Sequence, residues 1–141
     1  MRSLELALKA AGDPTRTRIL KMLEGGGLCV CQVQAVLGLA PSTVSKHLAI
    51  LKTAGLVKDQ RDGKWIAYAL TADEQNPFAR AVLAMLRGPL DRDPVVAADR
   101  KRLREVKSLS LLELCSRTPS RIAALSPAGR QRRARRVRQY A

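Results

Sequence analysis

One histidine, three cysteines, 12 acidic residues and only one Trp, one Phe and two Tyr leave this 141-residue chain poor in the side chains that perform covalent chemistry. With no surplus of carboxylates around its single imidazole, acid/base and hydrolytic catalysis have little to work with, so an enzyme is not expected. No apolar run approaches the roughly 18 to 20 residues of a membrane span, and no uninterrupted apolar stretch precedes a cleavage site at the N-terminus. A cytoplasmic protein with no membrane partner is therefore expected. Three cysteines are an odd number and too few for a disulfide scaffold, and in a reducing compartment they read as thiols or metal ligands.

What the chain has in excess is positive charge. Lys and Arg number 26 and the formal net charge is +14, which points to a polyanionic partner, with nucleic acid the first expectation. The excess is uneven: residues 1–116 hold 18 Lys+Arg and 12 acids, whereas residues 117–141 hold 8 Arg and no acid. That arginine-rich tail has little to bury and repels itself, so it reads as disordered or loosely helical. Arginine runs attract polyanions without reading sequence, so the tail is expected to be a solvated appendage adding non-specific affinity.

Along residues 1–116 the pattern reads helix, helix, helix, helix, hairpin, helix, then a weaker helical segment. Leu4, Leu6, Ala7 and Leu8 suggest the first helix. Asp13-Pro14 starts the second, whose face carries Ile19, Leu20 and Leu23 and which stops at Gly25-Gly26-Gly27. Cys29, Val30, Val33, Val36 and Leu37 recur at three- and four-residue spacing, giving a short third helix ended by Gly38. Pro41-Ser42-Thr43 opens the fourth, where Val44, Leu48 and Leu51 form an inward stripe and Gly55 closes the helix. Ser42, Lys46, Ala49 and Thr53 then face outward, flanked by Thr43, Ser45 and His47. Two helices joined by a tight turn, the second presenting a small, polar and cationic face, form a helix-turn-helix that places that face in a DNA major groove.

Residues 56–61 and 64–70 read as strands joined at Asp62-Gly63, a hairpin wing with Arg61 and Lys64 flanking its tip, within reach of phosphates or a minor groove. Trp65 is expected to pack in the core as the anchor of the hairpin. Asn76-Pro77 caps a further helix with Phe78, Val82, Leu83 and Leu86 apolar, and residues 94 to about 115 form the weaker segment. The fold class is thus mainly α with a β-hairpin wing. Residues 1–90 form the winged helix-turn-helix DNA-binding and dimerisation domain, 91–116 a C-terminal helical extension and 117–141 the basic tail.

These motifs together resemble the ArsR/SmtB family of metal-responsive winged-helix repressors. The resemblance covers about residues 1–90. It rests on Asp13-Pro14-Thr15-Arg16 with Ile19-Leu20, on Leu28-Cys29-Val30-Cys31, on Pro41-Ser42-Thr43-Val44-Ser45-Lys46-His47-Leu48, on Leu51-Lys52-Thr53-Ala54-Gly55-Leu56-Val57 and on Arg61-Asp62-Gly63-Lys64-Trp65. It implies a homodimer paired through its first and last core helices, bound to double-stranded operator DNA near its own gene and released by a thiophilic ion. The DNA contacts expected from the outward face of the fourth helix and from the wing tip are Ser42, Thr43, Ser45, Lys46, His47, Arg61 and Lys64.

Two departures matter, at Gln34 and at Gly27, where a glutamate often precedes the Leu-Cys pair, and a comparison with the zinc-type members narrows the ligand further. Arsenic-responsive members carry a third cysteine three positions after the second, where this chain has Gln34, so a three-thiolate site needs Cys115 beside Cys29 and Cys31; for Cys115, packing is equally open. Zinc- and nickel-type members use Asp, Glu and His on the last core helix, and residues 78–87 contain none, which argues against a zinc site at a dimer interface. Sulfur without histidine or carboxylate selects the thiophilic end, with As(III) or Sb(III) the expected inducer and other thiophilic ions open. The alternatives are a thiol redox sensor on the same DNA-binding module and a thiol metal carrier.

Overall fold

Proline opens four of the helices, at the first helical position, where its missing N–H leaves no hydrogen bond unmade. In the computed structural model, which describes residues 1–63, 65–71 and 76–116, these are α2 (Pro14–Leu23), α4 (Pro41–Thr53), α5 (Pro77–Met85) and α6 (Pro94–Lys107). Three have an acidic or amide residue in front of the proline as a cap. Asp13 accepts from the Arg16 N–H at 3.0 Å, Asn76 from the Ala79 N–H at 3.1 Å, and Asp93 from the Val95 N–H at 2.8 Å. Each of these caps is worth about 1 kcal/mol.

The remaining elements are α1 (Arg2–Ala11), β1 (Leu28–Cys29), α3 (Val30–Leu37), β2 (Val57–Asp62), β3 (Trp65–Leu70), a 3-10 turn at Pro89–Arg92 and α7 (Leu111–Ser116). The architecture is mainly helical with a small antiparallel sheet, a winged helix-turn-helix. Two glycines sit where only glycine is comfortable. Gly38, at φ +69°, ends α3 with its N–H on the Gln34 carbonyl at 2.8 Å. Gly55, at φ +75°, follows α4, and a Cβ there would stand 2.6 Å from Asn76 Nδ2.

The core lies between the helices and one face of the sheet. Ile19, Leu20 and Leu23 of α2, Val33 and Val36 of α3, and Val44, Leu48 and Leu51 of α4 are all buried, as their spacing predicts. Removing each such aliphatic side chain from water contributes about 1.5 to 3 kcal/mol.

Four expectations change. The wing is a three-stranded sheet ordered β1-β3-β2, not a lone hairpin. Strand β1 has two residues, too short for any periodicity to reveal, and pairs Leu28 with Tyr68 and Cys29 with Ala67. Pairing of β2 with β3 runs out to Asp62 opposite Trp65, so the turn begins at Gly63 (φ +59°) rather than at Asp62. Trp65 consequently sits at the wing tip, half-buried and outside the main core cluster, while Tyr68 packs against that cluster. Finally, the weak C-terminal segment is two helices, broken near Ser108, with the Ser110 hydroxyl accepting from the Glu113 N–H at 3.2 Å at the start of α7.

Helix α6 packs on α2 and α3, and α7 packs on α3. Leu103, Val106 and Leu114 join the central cluster, so this segment shares the core of the DNA-binding body. The expected disorder of residues 117–141 lies outside the described residues.

Candidate DNA-binding face and cysteine site

Burial of Val44, Leu48 and Leu51 decides what α4 can show to solvent. A helix that turns three residues at i, i+4 and i+7 inward presents the opposite face outward, and Ser42, Thr43, Ser45 and Lys46 are all exposed there. With α3 before it and the tight turn at Gly38 between them, α4 is the second helix of the helix-turn-helix. Arg61 is exposed on β2 near the wing tip, and Lys58 of the same strand is a further exposed cation that the motif-by-motif reading passed over. Lys52 is held by Asp59 at 2.9 Å, a contact that ties α4 to the wing and keeps the Asp59 carboxyl below its ordinary range. Lys64 lies outside the described residues.

His47 differs from its neighbours on α4. It is half-buried, and its Nδ1 stands 3.4 Å from an Arg16 guanidinium nitrogen. Arg16 also donates from Nε to the Ala10 carbonyl at 2.7 Å and from Nη2 to the Lys9 carbonyl at 3.2 Å, which binds the end of α1 to the α2/α4 junction. Its backbone N–H on Asp13 is the main reason that carboxyl is held below its usual range, with the Arg16 charge acting in the same direction. Arg16 belonged to the Asp13-Pro14-Thr15-Arg16 motif, but nothing in that motif pointed to His47, 31 residues later.

The cysteines are placed differently from the expectation that Cys29 and Cys31 share one regular helix. Cys29 ends β1 and is the N-cap of α3, in extended backbone (φ −85°, ψ 163°), while Cys31 lies in the first turn of that helix. Cys29 is a buried free thiol, 6% exposed. Its backbone N–H donates to Gln32 Oε1 at 3.1 Å, and its Sγ lies 3.6 Å from the same oxygen. Gln32 is thus a positioning residue for Cys29, readable in retrospect as a capping-box glutamine three residues after the cap.

Cys31 is half-buried and disulfide-bonded, where the sequence led to the expectation of a thiol or metal ligand. The segment carrying Cys115, α7, packs on the helix that carries Cys31; the Cys115 side chain lies outside the described residues. Among the described residues no three His, Cys, Asp or Glu side chains cluster as metal ligands. No described helix is long and apolar enough to cross a membrane.

Helices α1 and α5 pack against one another and leave an apolar surface open. Leu8 is 47% exposed, Phe78 37% and Met85 62%, and the last two lie seven residues apart on one face of α5.

Comparison with known proteins accords with this arrangement. The model for bacterial regulatory proteins of the arsR family matches residues 13–59, from the cap of α2 into β2. An uncharacterized HTH-type transcriptional regulator of Methanocaldococcus jannaschii is 44% identical over 75 residues, 52% of this chain and 84% of that protein. An arsenic resistance transcriptional regulator of Pseudomonas putida is 35% identical over 103 residues, 72% of this chain and 77% of that protein. Among solved structures, HlyU from Vibrio cholerae superposes with a TM-score of 0.50 at 28% identity, over 60% of this chain and 91% of that one.

Proposed function

The chain belongs to the arsR family of bacterial regulatory proteins, DNA-binding transcriptional regulators rather than enzymes, and on that premise we propose that it is a homodimeric repressor released from its operator by As(III) or Sb(III). The observation that carries the reading is the position of Cys29. Its residue is at once the end of β1, paired with Ala67 of the wing, and the N-cap of the first helix of the helix-turn-helix. A soft ion drawn to that sulfur has to compete with the Gln32 contacts that seat the start of α3. The ion then acts on the wing and on the α3/α4 pair together, and a coupling of about 1 to 3 kcal/mol, 5- to 150-fold in operator affinity, is the usual size.

In this proposal Cys29 and, once a reductant has opened its disulfide, Cys31 are ligands as thiolates, and Cys115, on the helix packed against α3, is the candidate third sulfur. Ser42, Thr43, Ser45 and Lys46 face the major groove, His47 lies along the edge, and Arg61 and Lys64 reach the backbone from the wing. The homodimer forms through α1 and α5, where Leu8, Phe78 and Met85 lie exposed. Boundaries at 90 and 116 mark off the DNA-binding unit, the helical extension that packs into its core and the arginine-rich tail.

The test is fluorescence anisotropy on the DNA upstream of the chain's own gene, at fixed salt and in a non-chelating reductant, with As(III), Cd(II) and Zn(II) titrated separately. Release by As(III), lost in Cys29→Ser and Cys31→Ser while operator affinity is kept, is the expected result. Unaltered release from both variants would sink the site assignment. The disulfide at Cys31 favours a second reading, in which peroxide oxidises a pair of thiols and releases the DNA. A response to peroxide with none to As(III) selects it.

A further inference from the structure

Between the end of α2 and one face of α6 lies a cavity of about 390 Å³. Helix α6 contributes Arg100, Leu103, Arg104 and Lys107, whose spacing of three and four keeps them on a single face. Its apolar floor is Met22 and Leu103, 2% and 6% exposed.

The charges around the cavity do not cancel. Lys21, buried beside it, donates to both Glu24 oxygens at 2.7 and 2.8 Å, to Asp91 at 2.8 Å and to the Leu86 carbonyl at 3.1 Å. Arg100 donates to the same two carboxylates, at 3.3 Å to Glu24 and 2.9 Å to Asp91. Two cations are thereby matched by two anions. Arg104 and Lys107, both exposed, have no acidic partner among the described residues. Gly25 also lines the cavity.

We propose that this cavity binds a small organic dianion, a phosphomonoester or short dicarboxylate with an apolar body. Two unmatched cations one turn apart suit a dianionic head, and the guanidinium of Arg104 offers the paired donors that phosphate and carboxylate accept. The Met22 and Leu103 floor takes the apolar part of the ligand and discriminates against inorganic anions. A ligand held there bridges α2 and α6 and fastens α6 to the helix-turn-helix body by mass action. The inference is independent of the cysteine reading.

The experiment is calorimetric titration of the full-length protein at constant ionic strength with phenyl phosphate, glutarate and inorganic phosphate. One saturable site per chain is expected for phenyl phosphate or glutarate, with inorganic phosphate weaker; the tighter of the first two identifies the head group. The double variant Arg104→Gln/Lys107→Gln should weaken that site at least about tenfold. Lys46→Ala, on the DNA-facing helix, should leave it unchanged, and circular dichroism should show both variants folded. Failure of both organic dianions to bind, or binding that survives the double substitution, overturns the proposal. So does a fall in the operator's salt slope by about two units in the double variant, which would make these cations DNA-phosphate contacts.

Discussion

Arg16 has no acceptor, so a ring nitrogen of His47 at hydrogen-bonding distance from it has to present a lone pair. The neutral imidazole is therefore expected to carry its proton on Nε2. Because the chain has only one histidine, long-range nitrogen–proton NMR reads the tautomer without assignment ambiguity. An Nε2–H pattern is expected in the free protein, drifting toward a mixture in Arg16→Ala; a dominant Nδ1–H form in the unsubstituted protein would rule out the Arg16 role. A second residue-scale prediction concerns Asp91, whose carboxyl is held well below its ordinary range, chiefly by Lys21 and then by Arg100 and the Gly88 N–H. A depressed folded pKa means that the ionised form contributes stability above the unfolded pKa of about 3.9, and that this contribution fades as pH falls below it. Asp91→Asn should thus melt at lower temperature than the unsubstituted protein at pH 7. Thermal melts at pH 3 should bring the two closer together; a constant gap across that range would contradict the assignment.

At the scale of elements, α6 is joined to α2 by more than apolar contact. Arg18 donates from Nε and Nη2 to the two oxygens of Asp99 at 2.7 and 2.8 Å, a bidentate pair with Asp99 buried. Removing one member of a buried pair leaves the other charged and uncompensated, at a cost of 3 to 5 kcal/mol when both are buried. The Arg18 side chain is 32% exposed, so about 2 to 3 kcal/mol is expected for Arg18→Ala, read by urea denaturation. Hydrogen exchange should show the loss concentrated in α6 and α7, because both pack against the α2/α3 body through this contact and its apolar neighbours. Uniform loss of protection would mean that α6 is an inseparable part of the core rather than an element docked upon it.

For the whole molecule, the proposed dimer accounts for large apolar side chains that the single chain leaves in water. Leu8, Phe78 and Met85 lie on the two helices, α1 and α5, that pack together, and a two-fold interface would bury the same patch twice. Placing an ammonium in such an interface opposes its burial. Met85→Lys should shift sedimentation from dimer toward monomer and weaken operator binding, since each protomer would then hold one half-site alone. A monomeric unsubstituted protein at micromolar concentration would remove α1 and α5 from the assembly. The net charge of +14 adds a sequence-blind attraction to DNA, which is why operator preference has to be measured against unrelated duplex at the same salt.

Much of this was legible in the linear chain because its signals are local. Proline behind a capping residue, glycine at a helix end and apolar residues at helical spacing specify elements through contacts within a turn or two, and they placed α2, α4 and α5 and the outward face of α4. Tertiary structure alone decided the rest. Strand β1 exists only because β3 supplies its hydrogen bonds from 40 residues away, and that pairing moved Cys29 from a helix face to the joint between wing and helix-turn-helix. Trp65 left the core because strand register put it opposite Asp62 at the wing tip. The ties from Arg16 to His47 and from Arg18 to Asp99 span 31 and 81 residues. Partners that far apart are chosen by the packing of whole helices, which no local pattern encodes.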